Sequence, residues 1–164
     1  MRTLDIKKRE EMELIIRSCK TCYVSMCQNN KPYVIPMNFA LEGDVVILHS
    51  AQAGRKWEHL SNNPFVCINW TLGEDLAWQD VQVGCSYRVL SKSVIVEGIA
   101  EIVKEVPEKE RCMGRLMAQY SSLDFKFSLP SLLNVGVIKV HIQTISAKNF
   151  GAKATTIWSK SIEK

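Results

Sequence analysis

The segment His49-Ser50-Ala51-Gln52-Ala53-Gly54-Arg55-Lys56 carries the strongest chemical suggestion in this chain. A strand pattern ends there and a helix pattern begins. Two cations, Arg55 and Lys56, fall in the first helical turn. A helix N-terminus already bears partial positive charge, so cations there are unfavourable by a few tenths to ~1 kcal/mol. A bound phosphate reverses that sign. It would accept the free N–H groups, the Ser50 hydroxyl and charge-assisted bonds from Arg55 and Lys56. Gly54 would let the backbone come close. The bland alternative is a solvated basic helix start, and the spacing is not that of a P-loop.

A second anomaly lies upstream. Pro36 sits inside a run that otherwise alternates as a strand. Proline removes a ladder donor, so it belongs at an edge or a bulge. Beside it stand Met37, Asn38 and Phe39, an apolar wall with one amide. Such a wall suits a flat heterocycle with a polar edge, or else ordinary packing of an edge strand. One hairpin joins the two segments, so they can lie side by side. A phosphate site next to a flat-ring site is what a mononucleotide needs.

Other candidate groups carry less. Cys19 and Cys22 form a CxxC, but no second pair or paired histidines complete a zinc set. Metal or redox chemistry there competes with packing as small apolar side chains. Of the three histidines, His141 alternates with Val140 and Ile142 and is expected on a polar face. His59 is expected to be exposed. No Ser-His-Asp or Cys-His arrangement has supporting context, so no catalytic residue and no metal ligand set is identified.

The elements that must position these residues follow from periodicity. Residues 6–18 read as an amphipathic helix with Ile6, Met12, Ile15 and Ile16 on one face. Strands are expected at about 21–27, 33–41, 45–49, 65–70, 93–103 and 135–146. Turns fall at Gln28–Lys31 and Glu42–Asp44. Residues 54–62 form a short helix stopped by Asn63-Pro64. Residues 71–82 are ambiguous, with Trp78 among them. Gly98 marks a bend or bulge. Pro107 opens a helix whose buried stripe is Cys112, Leu116, Met117 and Tyr120. The pattern predicts a mainly β (α+β) fold, a six-stranded antiparallel Greek-key barrel with flanking helices, and it disfavours a Rossmann sheet.

At this level the ordered set of motifs resembles the pyridoxamine 5′-phosphate oxidase-related proteins, and within them the nitroimidazole-resistance-like branch. The resemblance rests on Thr21–Ser25, Lys31–Phe39, His49-Ser50, Gly54-Arg55-Lys56, Asn63-Pro64 and Ser93–Ala100, within roughly residues 10–120. It implies a split β-barrel, FMN as cofactor, and a homodimer with two flavins at the subunit interface. Under it, Pro36, Met37, Asn38 and Phe39 border the isoalloxazine and ribityl chain. His49 and Ser50 lie near the ribityl-phosphate region, Arg55 and Lys56 grip the phosphate, and Ser93 approaches from a neighbouring strand. The implied activity is flavin-dependent oxidoreduction of a small molecule, with a reduced nicotinamide as donor. The alternative is a non-enzymatic FMN- or haem-binding protein. One departure stands out. True pyridoxamine-phosphate oxidases carry a C-terminal motif of arginine and histidine, yet no arginine follows Arg115 here. Vitamin B6 oxidation is therefore not expected. Trp158 in the tail would cover a flavin or cap a core edge.

Composition sets the outer bounds. The chain has 164 residues, 46% hydrophobic and 23% charged, which suits a single domain over 1–164 with a proper core. A net charge of +4 without a basic stripe argues against nucleic acid as a partner. No stretch is apolar and long enough to span a membrane, and Met1–Glu13 lacks a signal core. A cytoplasmic location with free thiols is the expectation.

Overall fold

The computed structural model describes residues 2–152. Among them, eight strands form one curled antiparallel sheet and four α-helices pack on it. The strands are β1 (Arg2–Ile6), β2 (Cys22–Gln28), β3 (Lys31–Met37), β4 (Phe39–Glu42), β5 (Val45–Ala51), β6 (Phe65–Ala77), β7 (Arg88–Val103) and β8 (Val135–Ala152). The helices are α1 (Arg9–Ser18), α2 (Arg55–Asn62), α3 (Val106–Ala118) and α4 (Leu129–Asn134). The mainly β barrel class is as expected, with two more strands than expected. Trp158 lies outside the described residues.

Both extra strands have a physical origin. Ile6 is buried as anticipated, but it closes β1, which pairs with the end of β8 (Ile6 opposite Ala147). The helix starts later, at Arg9, with Glu10 and Glu11 in its first turn and Arg17 in its last, matching its dipole. The expected strand 33–41 is really two. β3 and β4 are separated by Asn38 alone, yet the sheet order β3-β2-β6-β7-β8-β5-β4 puts them at opposite edges. Two trans peptide links span at most about 7 Å. The two edges must therefore meet at Asn38, and the sheet must roll into a barrel. Alternation hid this break, because Met37 and Phe39 are buried and Asn38 exposed, as in an unbroken strand. Pro32 and Pro36 both fall on β3, the edge strand, where a missing donor costs no ladder bond.

The seam is pinned by polar groups. The Tyr120 hydroxyl accepts from the Phe39 N–H at 2.8 Å and donates to the Lys20 carbonyl at 3.1 Å. The Asn38 amide donates to the same carbonyl at 3.4 Å. Tyr120 was expected in the apolar stripe of α3; it lies just past the helix end and works through its hydroxyl.

Two cores result. The barrel interior holds Phe39 edge-on to Trp70, with centroids 5.3 Å apart, and α1 closes it with Met12, Ile15 and Ile16. Cys19 and Cys22 belong to this core, as the packing reading expected. The second core lies between Ala40, Ile47, Val103 and Val137 of the sheet and Cys112, Leu116 and Leu132 of α3 and α4. Lys109 is buried beside it and donates to the Leu132 and Val135 carbonyls, at 3.2 and 2.8 Å. It thereby ties α4 to the start of β8.

The expected bulge at Gly98 is present: the β7–β8 register shifts between Glu97 and Gly98. A Cβ there would sit 2.4 Å from the His141 carbonyl oxygen. Gly98→Ala is expected to cost about 1–3 kcal/mol through that overlap. Urea unfolding should show a lower midpoint with an unchanged slope.

Candidate functional site

The junction of β5 and α2 gathers the candidate residues. Val46 and Leu48 of β5 face the barrel core, and Ile47 faces the α3 side. By the same alternation Ser50 points to the barrel side and His49 to the α3 side. The two neighbours thus leave the strand on opposite faces. His49 is half-buried, and burial pushes its imidazole pKa below the ordinary value.

After β5 the chain is clamped before it turns. The Gln52 amide donates to the Leu133 carbonyl and, at 3.1 Å, to the Val135 carbonyl. The Trp57 indole N–H donates to the Ala51 carbonyl. Its ring lies so close to Gly136 that a Cβ there would collide with it. Gly54 adopts φ +97 with nothing near its missing Cβ. Its glycine is demanded by the left-handed backbone, rather than by crowding within the chain.

α2 then begins at Arg55 with no side-chain cap. Its first N–H groups have no intrahelical partner, which is the rule at a helix start. Lys56 borders the apolar interior beside Leu48, Leu60 and Ile138. Arg55 turns the other way, its guanidinium 4.5 Å from the centroid of the Tyr33 ring. Neither cation is held in an ion pair among the described residues. Uncapped N–H groups and two uncompensated cations can together hold a dianion such as a phosphate monoester.

The ring-binding candidates divide by face. Pro36 and Asn38 are exposed. The Met37 and Phe39 side chains are core groups, and the Phe39 N–H is taken by Tyr120. The interior leaves only about 10 Å³ among Val24, Met37, Leu48 and Lys56. That is about one water probe, so no flat ring enters the barrel and any such ligand must lie outside it. Ser93 is half-buried on β7, opposite Thr71 and Lys148. It lies seven residues, about 23 Å of strand, from Ala100, the β7 residue that borders the Lys56 region. One chain does not bring Ser93 to the α2 N-terminus.

Two expectations about the remaining groups are settled. His141 is exposed and lies 2.6 Å from the Glu101 carboxylate. His59, expected to be exposed, is buried at 4% exposure. Its Nδ1 bonds the Arg55 carbonyl one turn back, at 2.8 Å, and its ring packs against Tyr33. The helical spacing of 55 and 59 was visible in the sequence; the Tyr33 that covers the ring was not. Burial pushes the Cys22 thiol up to about 12, and its Sγ donates to the Met37 carbonyl at 3.4 Å. It is a protonated packing group at neutral pH. No three His, Cys, Asp or Glu side chains cluster as metal ligands among the described residues, and no described helix is long and apolar enough to cross a membrane.

The sequence matches the pyridoxamine 5′-phosphate oxidase family over residues 8–149. Solved structures share the fold. One, described provisionally as a 5-nitroimidazole antibiotic resistance protein from Bacteroides thetaiotaomicron, is 34% identical with a TM-score of 0.82. That match covers 90% of this chain and 87% of the other. The flavocytochrome Anf3 from Azotobacter vinelandii is 20% identical, TM-score 0.78, covering 98% and 76%. An FAD- and haem-binding protein from Mycobacterium smegmatis is 13% identical, TM-score 0.79, covering 98% and 80%. The last two similarities speak to fold alone. No curated protein sequence matches significantly.

The burial of His49 has a pH signature. Its folded pKa is depressed, so its neutral form is favoured in the fold. It costs nothing above the unfolded value of ~6.5; stability falls as pH drops from there toward the lower folded value and levels off below it. NMR titration should place the His49 midpoint below ~6.5. His49→Gln should lose less stability than the parent between about pH 6.5 and 5.

Proposed function

This chain belongs to the pyridoxamine 5′-phosphate oxidase family, and from that membership we propose that it binds FMN and acts as a flavin-dependent oxidoreductase on a small molecule. The observation that carries the reading is the start of α2: two cations without carboxylate partners among the described residues, beside uncapped backbone N–H groups. A phosphate monoester supplies the missing negative charge. Arg55, Lys56 and the first N–H groups hold it; the Ser50 hydroxyl, on the barrel side, donates to the Ala51 carbonyl at 2.8 Å. Pro36 and Asn38 offer an outer surface for the ring, the proline as a flat apolar contact and the amide for a polar edge.

When bound, the flavin supplies electron transfer between a donor, for which we propose a reduced nicotinamide, and a small-molecule acceptor. The chain's part is to anchor the phosphate and fix the ring against the seam, where Tyr120 and Asn38 are tied to the Lys20 carbonyl. The full interior supports a ring lying outside the barrel, and an outside ring needs a second surface to exclude water. A homodimer meets that need, and it would bring Ser93 from the partner. Tyr23, Val34, Phe65 and Ile95 are all exposed on neighbouring strands β2, β3, β6 and β7. An apolar outer face of that kind favours association.

Purified protein incubated with FMN should retain a flavin spectrum after gel filtration and elute as a dimer. A haem Soret band with no flavin uptake would point to the haem-binding alternative, and absence of flavin uptake in any form sinks the proposal. Arg55→Ala with Lys56→Ala should weaken FMN binding by roughly a hundredfold or more, the scale of two charge-assisted bonds. An unchanged affinity in that double variant removes the phosphate assignment. Arg55 is exposed, so the single Arg55→Ala change should leave the unfolding midpoint nearly unmoved.

A further inference from the structure

A cleft of about 260 Å³ opens on the far side of Arg55, between the β2–β3 turn and α2. Gln28, Asn29 and Lys31 line it from the turn, and Arg55, Glu58 and His59 from the helix. At ~30 Å³ per water, it has room for a hydrated or directly bound oxyanion. We propose that this cleft is a second phosphate subsite, separate from the one at the α2 N-terminus and sharing only Arg55 with it.

Three observations converge. The first is charge. Lys31 and Arg55 face Glu58 alone, and neither cation is ion-paired among the described residues. The Gln28 and Asn29 side chains add amide donors, the other group an oxyanion seeks.

The second is rigidity. Asn29 and Asn30 both hold positive φ, 50° and 60°, the two-residue turn that locks Gln28 opposite Lys31. Arg55 is held over the Tyr33 ring. The turn thus fixes the backbone of Lys31, and stacking holds the Arg55 guanidinium.

The third is an unmatched atom. His59 is buried, and its Nε2 has no hydrogen-bond partner among the described residues. Because Nδ1 bonds a carbonyl, Nδ1 carries the hydrogen and Nε2 is left as a lone pair. That lone pair is a buried acceptor in the wall of the cleft, open to a donor such as the P–OH of a hydrogen phosphate. The charged and titratable groups around the imidazole are Arg55 and Glu58 on α2, and Lys31 and Tyr33 on β3; β2 contributes the uncharged Gln28.

The phosphoryl group has three sources with one chemistry: the second phosphate of a dinucleotide flavin, a phosphate of a nicotinamide dinucleotide donor, or inorganic phosphate. The subsite itself does not depend on the flavin proposal. The test is calorimetric titration of FMN, FAD, NADPH and inorganic phosphate into the parent, Lys31→Ala and Glu58→Gln. Lys31 and Glu58 are exposed, so their variants should fold normally.

Lys31→Ala should weaken at least one of FAD, NADPH or phosphate by roughly tenfold, the size of one charge-assisted bond, and leave FMN within about twofold. Glu58→Gln should tighten the same ligand by roughly twofold, since it removes a facing negative charge. That opposite sign is one a merely structural role would not produce. Which ligand responds identifies the source. If Lys31→Ala and Glu58→Gln shift none of the three, or shift FMN equally, the subsite is refuted. If neither FMN nor FAD binds while NADPH or phosphate stays sensitive to Lys31, the flavin reading falls and this one stands.

Discussion

Met37 and Phe39 are two residues apart and close opposite edges of the same sheet. Two peptide links cannot span a gap much wider than 7 Å, so the sheet has no freedom to stay open. The rest of the architecture follows. The inner faces of β2, β5, β6 and β7 are forced together around Trp70 and Phe39, and α1 plugs the end. The outer face of β4 and β5 is left apolar and needs α3 and α4 as cover. Tyr120 then serves both layers. It follows α3 and bonds the backbone on either side of the seam, so the helix layer and the barrel closure are coupled through one hydroxyl.

Closure also decides where a ligand can go. A filled barrel has no room for a ring system, so the chain's chemistry is displaced to its outer surface. The β5–α2 junction is built for that position. Gln52, Trp57 and Gly136 hold the segment before the helix, and Gly54 turns it with a backbone angle other residues resist. What emerges is a stiff helix start with its N–H groups free. The cations then diverge, Lys56 toward the interior edge and Arg55 toward Tyr33. That divergence allows anion sites on two sides of one helix.

Much of the fold was legible because alternation and helix spacing are local. The hairpins at Asn29-Asn30 and Gly43, the Gly98 bulge, the start of α3 at Pro107 and the placement of Arg55 and Lys56 in a first helical turn can all be read from near neighbours. The misses share one cause. β1 pairs with residues some 145 positions away, so a short charged strand next to a helix pattern has no local mark. The break at Asn38 kept the buried–exposed–buried rhythm of a continuous strand. His59 looked exposed because its cover, Tyr33, arrives from another element.

The amino-acid sequence by itself determined the local geometry of this protein and its chemical punctuation: which residues alternate, where proline forbids an inner strand, and where two cations meet a helix start. Those depend on covalent spacing and backbone preference, which act over a few residues. Only the tertiary structure decided who shares a site. It sent Met37 and Phe39 into the core, kept Ser93 about 23 Å of strand from Ala100, and drew Lys31 and His59 to the same cleft. Side-chain direction is a local property, but the neighbour it meets depends on strand pairing and closure, and those are settled by the whole sheet at once.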